Sequence, residues 1–188
     1  NLVWKKKNSP VPEQLKRALD GYEDGYQTEK IQGLEAWLQS IFVCSNEMVL
    51  FIIDYGFPNH EFLRRDRKMG TLKCHFRHTS NGDPFYLPGL QDITSSVNYS
   101  ELAEMAITIG FDVLGFTTQE RFLANNRIEE WFSESIDSSD TVESYRLAQE
   151  AKRLLLPTEM GQYIKVMAIG KNFKGSLCGF ENDELFRL

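Results

Sequence analysis

Acidic, phenolic, imidazole and amide side chains stand at positions in this sequence where they could do chemistry. Asp54-Tyr55-Gly56 ends the apolar run Met48-Val49-Leu50-Phe51-Ile52-Ile53, so a carboxylate and a phenol arrive together at the end of a hydrophobic ribbon. A carboxylate there can hold a cation or take a proton, and a phenol can stack or donate a hydrogen bond. His78 ends Cys74-His75-Phe76-Arg77-His78. An imidazole is a side chain whose charge the surroundings readily switch, which suits a general base or a substrate-orienting group, while a loop histidine making a structural hydrogen bond fits equally. In Gln91-Asp92-Ile93-Thr94, Asp92 and Thr94 alternate like one face of a short strand. Asp92 there holds a cationic substrate, braces His78 or stabilises a turn. Gln119 follows the strand-like Phe111-Asp112-Val113-Leu114-Gly115-Phe116-Thr117, where it bonds a substrate or caps the next helix.

Other chemistries lack their patterns. On a strand, Cys74 and His78 share a face at about 13 Å, at roughly 3.3 Å per residue. Zinc ligands must lie within about 4 Å of one another, so no metal site is expected. The sequence has no Ser-His-Asp order, no GxSxG elbow, no P-loop and no GxGxxG, hence no dinucleotide or phosphate cradle of its own. Cys44, Cys74 and Cys178 are widely spaced without a CxxC, which argues against a disulfide framework and for a reducing, cytoplasmic compartment.

The elements that must position these groups follow from periodicity. An uninterrupted apolar run reads as a strand buried on both faces within a parallel sheet, and ligands collect at the carboxyl ends of such strands. A helix is expected from near Pro12 to Gly21, with Leu15 and Leu19 on one face. A second amphipathic helix is expected from Thr28 through Ile31, Leu34, Leu38, Ile41 and Phe42, directly before the central strand. Helix followed by buried strand is the grammar of an α/β fold. Gly70 to His78 reads as a strand or extended arm, and the turn signals Asn81-Gly82-Asp83-Pro84 and Leu87-Pro88-Gly89 make residues 57–97 a long excursion. Asn98 with Glu101 forms a capping box for a helix that Gly110 stops. Helical pieces are expected around Phe122, around Trp131 and Phe132, and from Val142 to Leu156, with a last strand at Tyr163 to Ile169. Trp131 and Phe132 either pack into their own core or offer a partner or dimer surface. The tail 172–188, rich in Gly, Asn and Glu, is expected to be loosely held.

At 188 residues the chain suits about one domain with a sizeable core. Its 41% hydrophobic and 26% charged residues are ordinary for a globular protein, and its net charge of −6 argues against broad attachment to nucleic acid or anionic membrane. Arg64-Arg65-Asp66-Arg67-Lys68 is a local basic patch that a solvated loop explains. No apolar run approaches the roughly 20 residues of a membrane span, and no signal peptide opens the chain. Asn1-Leu2-Val3-Trp4 begins inside an apparent strand, which suggests a fragment without its amino-terminal half.

Taken together, the motifs resemble the MidA family of S-adenosylmethionine-dependent methyltransferases, whose mitochondrial members are protein arginine methyltransferases supporting respiratory complex I assembly. The pieces are Asp54-Tyr55-Gly56, Arg67 before Gly70-Thr71-Leu72, Cys74-His75-Phe76-Arg77-His78, Asp83-Pro84, and Pro88-Gly89-Leu90-Gln91-Asp92-Ile93-Thr94 with Val97. They continue with Thr118-Gln119, Phe122-Leu123, Leu155-Leu156-Pro157, Met160-Gly161 and Lys165-Val166. Asn98-Tyr99 stands where the family usually has Asp-Phe, and Asn caps a helix as well as Asp does.

The resemblance implies the carboxyl-terminal half of a Rossmann-like class I methyltransferase sheet. Residues 1–171 would be the domain, residues 119–157 a helical insertion between the last two strands, and residues 172–188 the tail. The strand near residue 50 would be the fifth of the sheet, and those near 113 and 166 the sixth and the antiparallel seventh. Cofactor-binding residues would lie in the missing half, so the fragment alone is expected to be inactive. The implied cofactor is S-adenosylmethionine, and the implied acceptor a protein arginine. Asp54, Asp92 and Gln119 would orient the guanidinium, Tyr55 would stack or donate a hydrogen bond, and His78 would receive the proton. Gly56, Arg67 and Thr94 are substrate-side candidates, with Arg67 bracing loop against carboxylates. No nucleic acid or membrane partner is expected, a homodimer stays open, and the compartment would be cytoplasmic, or the mitochondrial matrix in a eukaryote. The alternative is a non-catalytic assembly module that retains the methyltransferase fold.

Overall fold

The computed structural model of the protein describes Lys5, residues 10–137 and residues 141–188. The apolar start Leu2-Val3-Trp4, read above as a strand, lies outside them. In chain order the elements are α1 (Glu13–Ala18), α2 (Leu34–Phe42), β1 (Met48–Phe57), α3 (Asn59–Phe62), β2 (Lys73–Phe76), β3 (Thr79–Asn81), β4 (Asp92–Thr94) and β5 (Val97–Asn98). They continue with α4 (Tyr99–Ile109), β6 (Asp112–Thr118), α5 (Gln119–Asn125), α6 (Ile128–Asp137), α7 (Thr141–Leu155) and β7 (Ile164–Lys171). The chain divides into two compact units, the first comprising Asn1–Ile31 and Asn59–Ser96, the second Gln32–Pro58 and Val97–Leu188.

The second unit is a mixed α/β layer with a sheet of order β5-β1-β7-β6. The last strand in sequence, β7, lies in the middle, antiparallel to both neighbours. It is buried from Ile164 to Gly170 because side chains cover both of its faces. On one face Leu38 of α2 and Leu102 and Ala106 of α4 pack with Phe116, Met167 and Ile169, and Leu50 and Ile52 of β1 join at the margin. On the other face Phe180 packs with Val166 and Ala168, joined by Val49 and Phe122.

β1 corrects the expectation of a fully buried parallel strand. It pairs antiparallel with β7 from Met48 opposite Lys171 to Tyr55 opposite Ile164. Among the described residues, parallel pairing is confined to Gly56 and Phe57, opposite Val97 and Asn98 of β5. The run is apolar throughout because both faces of β1 touch side-chain layers, yet Phe51, Ile53 and Tyr55 remain 43%, 56% and 49% exposed. Apolar continuity reports contact on two faces and says nothing of the edges.

Local signals set several boundaries. The Asn98 carboxamide oxygen accepts the Glu101 N–H at 3.3 Å at the start of α4, and Gly110, at φ 113°, ends it in the left-handed conformation. α2 starts at Leu34, later than its periodicity suggests, because Gly33 stands just before it at φ 80°. Between β6 and β7 the chain runs through α5, α6 and α7. The expectation of a loose tail is also corrected: Phe180 is 6% exposed, and the Glu184 N–H donates to the Phe116 carbonyl at 2.6 Å.

The first unit carries a three-stranded sheet of order β3-β2-β4. Within the strand or extended arm expected from Gly70 to His78, Lys73–Phe76 is the strand β2, which forms a hairpin with β3. Phe76 pairs with Thr79, leaving Arg77 and His78 as a two-residue turn with φ 46° and 65°. Two successive positive φ values match the twist of a tight hairpin, so the strand-face argument made for Cys74 and His78 does not apply to His78. Upstream, the Glu29 carboxylate accepts the Thr71 N–H at 2.9 Å, the Leu72 N–H at 3.0 Å and the Thr71 hydroxyl at 3.0 Å. The Thr71 hydroxyl oxygen in turn accepts the Ser96 N–H. Gly70 sits at φ 71°, and a Cβ there would meet Glu29 Oε1 at 2.1 Å.

Candidate active site

Asp54 lies near the carboxyl end of β1 with an exposed carboxylate, and its Oδ1 accepts the Tyr55 N–H at 2.7 Å. Register extends the site across the sheet: Asp54 stands opposite Lys165 of β7, which stands opposite Thr118 of β6. Directly opposite residues project from the same face of a sheet, so a carboxylate, an ammonium and a hydroxyl form one row. Lys165 is 5% exposed, and its ammonium donates to the Gln162 carbonyl. The Thr118 hydroxyl is buried without a hydrogen-bond partner.

Successive residues on a strand face opposite ways. Tyr55 therefore leaves β1 on the side opposite Asp54, and the two do not present their functional groups to one face. Gly56 has a packing reason. A Cβ there would lie 2.4 Å from the Val97 carbonyl oxygen and 2.6 Å from the ring of Tyr99. Tyr99 is fully buried at the start of α4, and its hydroxyl donates between the carbonyls of Asp54 and Lys165, 3.2 Å from each. Burial, and secondarily the charge of Asp54, push its phenol well above the usual tyrosine range.

Gln119 opens α5, one residue beyond the row, and is 8% exposed. Its amide nitrogen donates to the Leu154 carbonyl at 2.9 Å, which ties the first turn of α5 to the end of α7.

The remaining candidates belong to the first unit. His78 is an exposed turn residue. Asp92 and Thr94 are exposed on one face of β4, opposite His75 and Lys73 of β2. Asp92 is thus a strand neighbour of His75, and no hydrogen bond joins it to His78. The Arg67 guanidinium donates to the Phe62 carbonyl at 3.4 Å. Gln91 holds the loop that leads into β4, accepting from the Asn81 amide and donating to the Asp83 carbonyl.

Sequence reasoning missed Lys165 and Thr118 as members of the row, Tyr99 as the residue that ties β1 to β7, and Glu29 as the acceptor of the Thr71 turn. Lys165 carried a signal, because a lysine inside Tyr163-Ile164-Lys165-Val166-Met167 is a charge in a buried strand. The others depend on pairings between distant segments. Among the described residues no group of three or more His, Cys, Asp or Glu could hold a metal ion, and no helix is long and apolar enough to cross a membrane. A cavity of about 240 Å³ in the first unit is lined by Tyr22, Tyr26, Arg65 and Lys68. Another of about 270 Å³ in the second unit is lined by Leu114, Leu177 and Phe180. Neither includes a candidate residue.

A family model described as "Putative S-adenosyl-L-methionine-dependent methyltransferase" matches residues 2–117. A crystal structure from Burkholderia thailandensis, of a protein bound to S-adenosyl-homocysteine, superposes with a TM-score of 0.90 at 37% identity, covering 99% of this chain and 48% of its own. A native crystal structure of a protein of the same superfamily and organism superposes with a TM-score of 0.85 at 38% identity, covering 96% of this chain and 49% of its own. The chain spans about half the length of each. No curated protein sequence matches it.

Proposed function

The chain belongs to this S-adenosyl-L-methionine-dependent methyltransferase family, and from that premise we propose that a protein of the solved relatives' length built on it methylates a protein nitrogen, that of an arginine guanidinium. The family's cofactor is S-adenosylmethionine. The residues described here do not form a complete cradle for it: no glycine-rich turn opens a helix, and neither cavity includes Asp54 or Gln119. The chain's own contribution is therefore on the acceptor side.

One observation carries the assignment. Asp54 ends the apolar part of β1 as an exposed carboxylate whose orientation the Tyr55 N–H sets at 2.7 Å. That bond occupies one of roughly four acceptor sites on the carboxylate. The rest suit the paired N–H groups of a guanidinium, whose planar fork a carboxylate matches. Holding the acceptor in line is the larger part of what a methyltransferase must do, because the displacement needs little covalent help. Lys165, the cation on the same row, is turned to the Gln162 carbonyl.

The test uses the full-length protein, tritiated S-adenosylmethionine and arginine- or lysine-bearing peptides and lysate proteins, with the modified atom found by mass spectrometry. Arginine labelling that falls by about a hundred-fold or more in Asp54→Asn, near 2.7 kcal/mol of transition-state stabilisation, supports the assignment. Cofactor binding without label on any protein, or label confined to another residue type, overturns it.

A further inference from the structure

The cavity of about 240 Å³ in the first unit has an aromatic wall that backbone groups hold in place. The Tyr22 and Tyr26 rings meet edge to face, with centroids 4.9 Å apart and planes at 75°. Their hydroxyls donate to the carbonyls of Leu63 at 2.6 Å and Arg64 at 3.2 Å, so each ring is anchored at its polar end. The Arg65 guanidinium stacks over Tyr22, 5.1 Å from the ring centroid.

Four charged side chains line the same space, and two of them cancel: Lys68 and Glu23 form an ion pair at 2.5 Å. Asp24 and Arg65 are left over. Both are exposed, and among the described residues neither forms an ion pair or a side-chain hydrogen bond, with the other or with a third group. A simple anion on Arg65 would face the Asp24 carboxylate, and a simple cation on Asp24 would face the guanidinium. A zwitterion answers both charges. A guanidinium takes a carboxylate through two parallel N–H bonds, a carboxylate takes an ammonium, and two tyrosine rings offer a face and an edge to a third ring. The volume is below the roughly 300 Å³ at which pockets for drug-sized ligands begin, which suits one amino acid and not a nucleotide.

We propose that this cavity binds a free α-amino acid with an aromatic side chain, its carboxylate on Arg65, its ammonium on Asp24 and its ring against Tyr22 and Tyr26. A peptide does not meet the requirement, because its α-ammonium and α-carboxylate belong to different residues. The inference concerns the first unit alone and does not rest on the acceptor assigned to Asp54.

The test is calorimetric titration of the full-length protein with L-phenylalanine. Beside it run phenylpropanoate, which lacks the ammonium, phenethylamine, which lacks the carboxylate, and L-alanine, which lacks the ring. L-phenylalanine is expected to bind at least about ten-fold more tightly than each of the three. Arg65→Gln removes its advantage over phenethylamine, and Asp24→Asn removes its advantage over phenylpropanoate. Both side chains are exposed, so both variants are expected to melt with the wild type. Failure of L-phenylalanine to bind at about 10 mM overturns the proposal. Analogues that bind as tightly as the amino acid, or variants that keep its full affinity, also overturn it. Titration needs no turnover, so amino-acid binding in a protein that methylates no arginine would remove the proposed function and leave this site standing.

Discussion

The Tyr99 hydroxyl donates to the backbone carbonyl of Asp54 at 3.2 Å, so the first residue of α4 is bolted to the strand position that carries the exposed carboxylate. The same hydroxyl lies 3.2 Å from the Lys165 carbonyl. One buried phenol thereby fixes α4, β1 and β7 where the candidate row crosses the sheet.

Removing that hydroxyl has a stability cost and a pH signature. Tyr99→Phe is expected to lose about 1 to 3 kcal/mol, because buried carbonyls lose a donor. Burial holds the native phenol neutral well above the usual tyrosine range. In the unfolded chain it ionises near about pH 10, so the stabilisation is complete below that pH and declines as pH rises above it. Urea melts between neutral and strongly alkaline pH would show a steeper alkaline decline for the wild type than for Tyr99→Phe. Parallel slopes would remove the phenol from this role.

Gly56→Ala inserts a methyl group 2.4 Å from a backbone oxygen and 2.6 Å from the Tyr99 ring. Neither neighbour is the end of a flexible side chain, so the loss is expected at about 1 to 3 kcal/mol or more. Thermal melts of Gly56→Ala beside Gly82→Ala, whose Cβ would meet nothing within 4 Å, would separate packing from general glycine effects. Equal melts would refute the close approach.

The Glu29 carboxylate gathers two backbone N–H groups and the Thr71 hydroxyl. Glu29→Gln replaces a charged acceptor with a neutral group that also presents its own donors, and hydrogen bonds to charged groups are worth about 1.5 to 3 kcal/mol. Amide exchange at Thr71 and Leu72 is expected to speed up by about ten-fold or more. Unchanged exchange there would show that the turn holds itself.

His78 adopts φ 65° beside Arg77 at φ 46°. A side chain in the left-handed region is strained, so His78→Gly is expected to stabilise the β2–β3 hairpin by about 1 kcal/mol. If the imidazole receives a proton in the full-length protein, the same variant loses activity while gaining stability. Stability and activity that rise together would make His78 a turn residue only.

What the sequence made legible was local. Asn98, Glu101 and Gly110 announce both ends of α4 because capping acts within one turn of helix. β6 and β7 appear close to where their apolar runs place them. Pairings between distant segments were not legible. Glu29 reaches Thr71 across 42 positions, and the row of Asp54, Lys165 and Thr118 exists only once three strands share a register. Asp54 and Tyr55 looked like a pair because they are adjacent in sequence, whereas strand geometry sends neighbours apart. The exposure of Phe51, Ile53 and Tyr55 was hidden for a similar reason, since an apolar run does not record how much of each side chain is covered.

The sheet order also sets a timetable for biosynthesis. β1 and β6 both wait for β7, which leaves the ribosome after either of them and slots between the two. Until Lys171 has been translated, a nascent chain carries two unsatisfied hydrophobic segments, and early release of the polypeptide strands them without the element that joins them. Polysomes stalled shortly before Ile164 would recruit holdase chaperones to this protein, and the released chain with β7 in place would not.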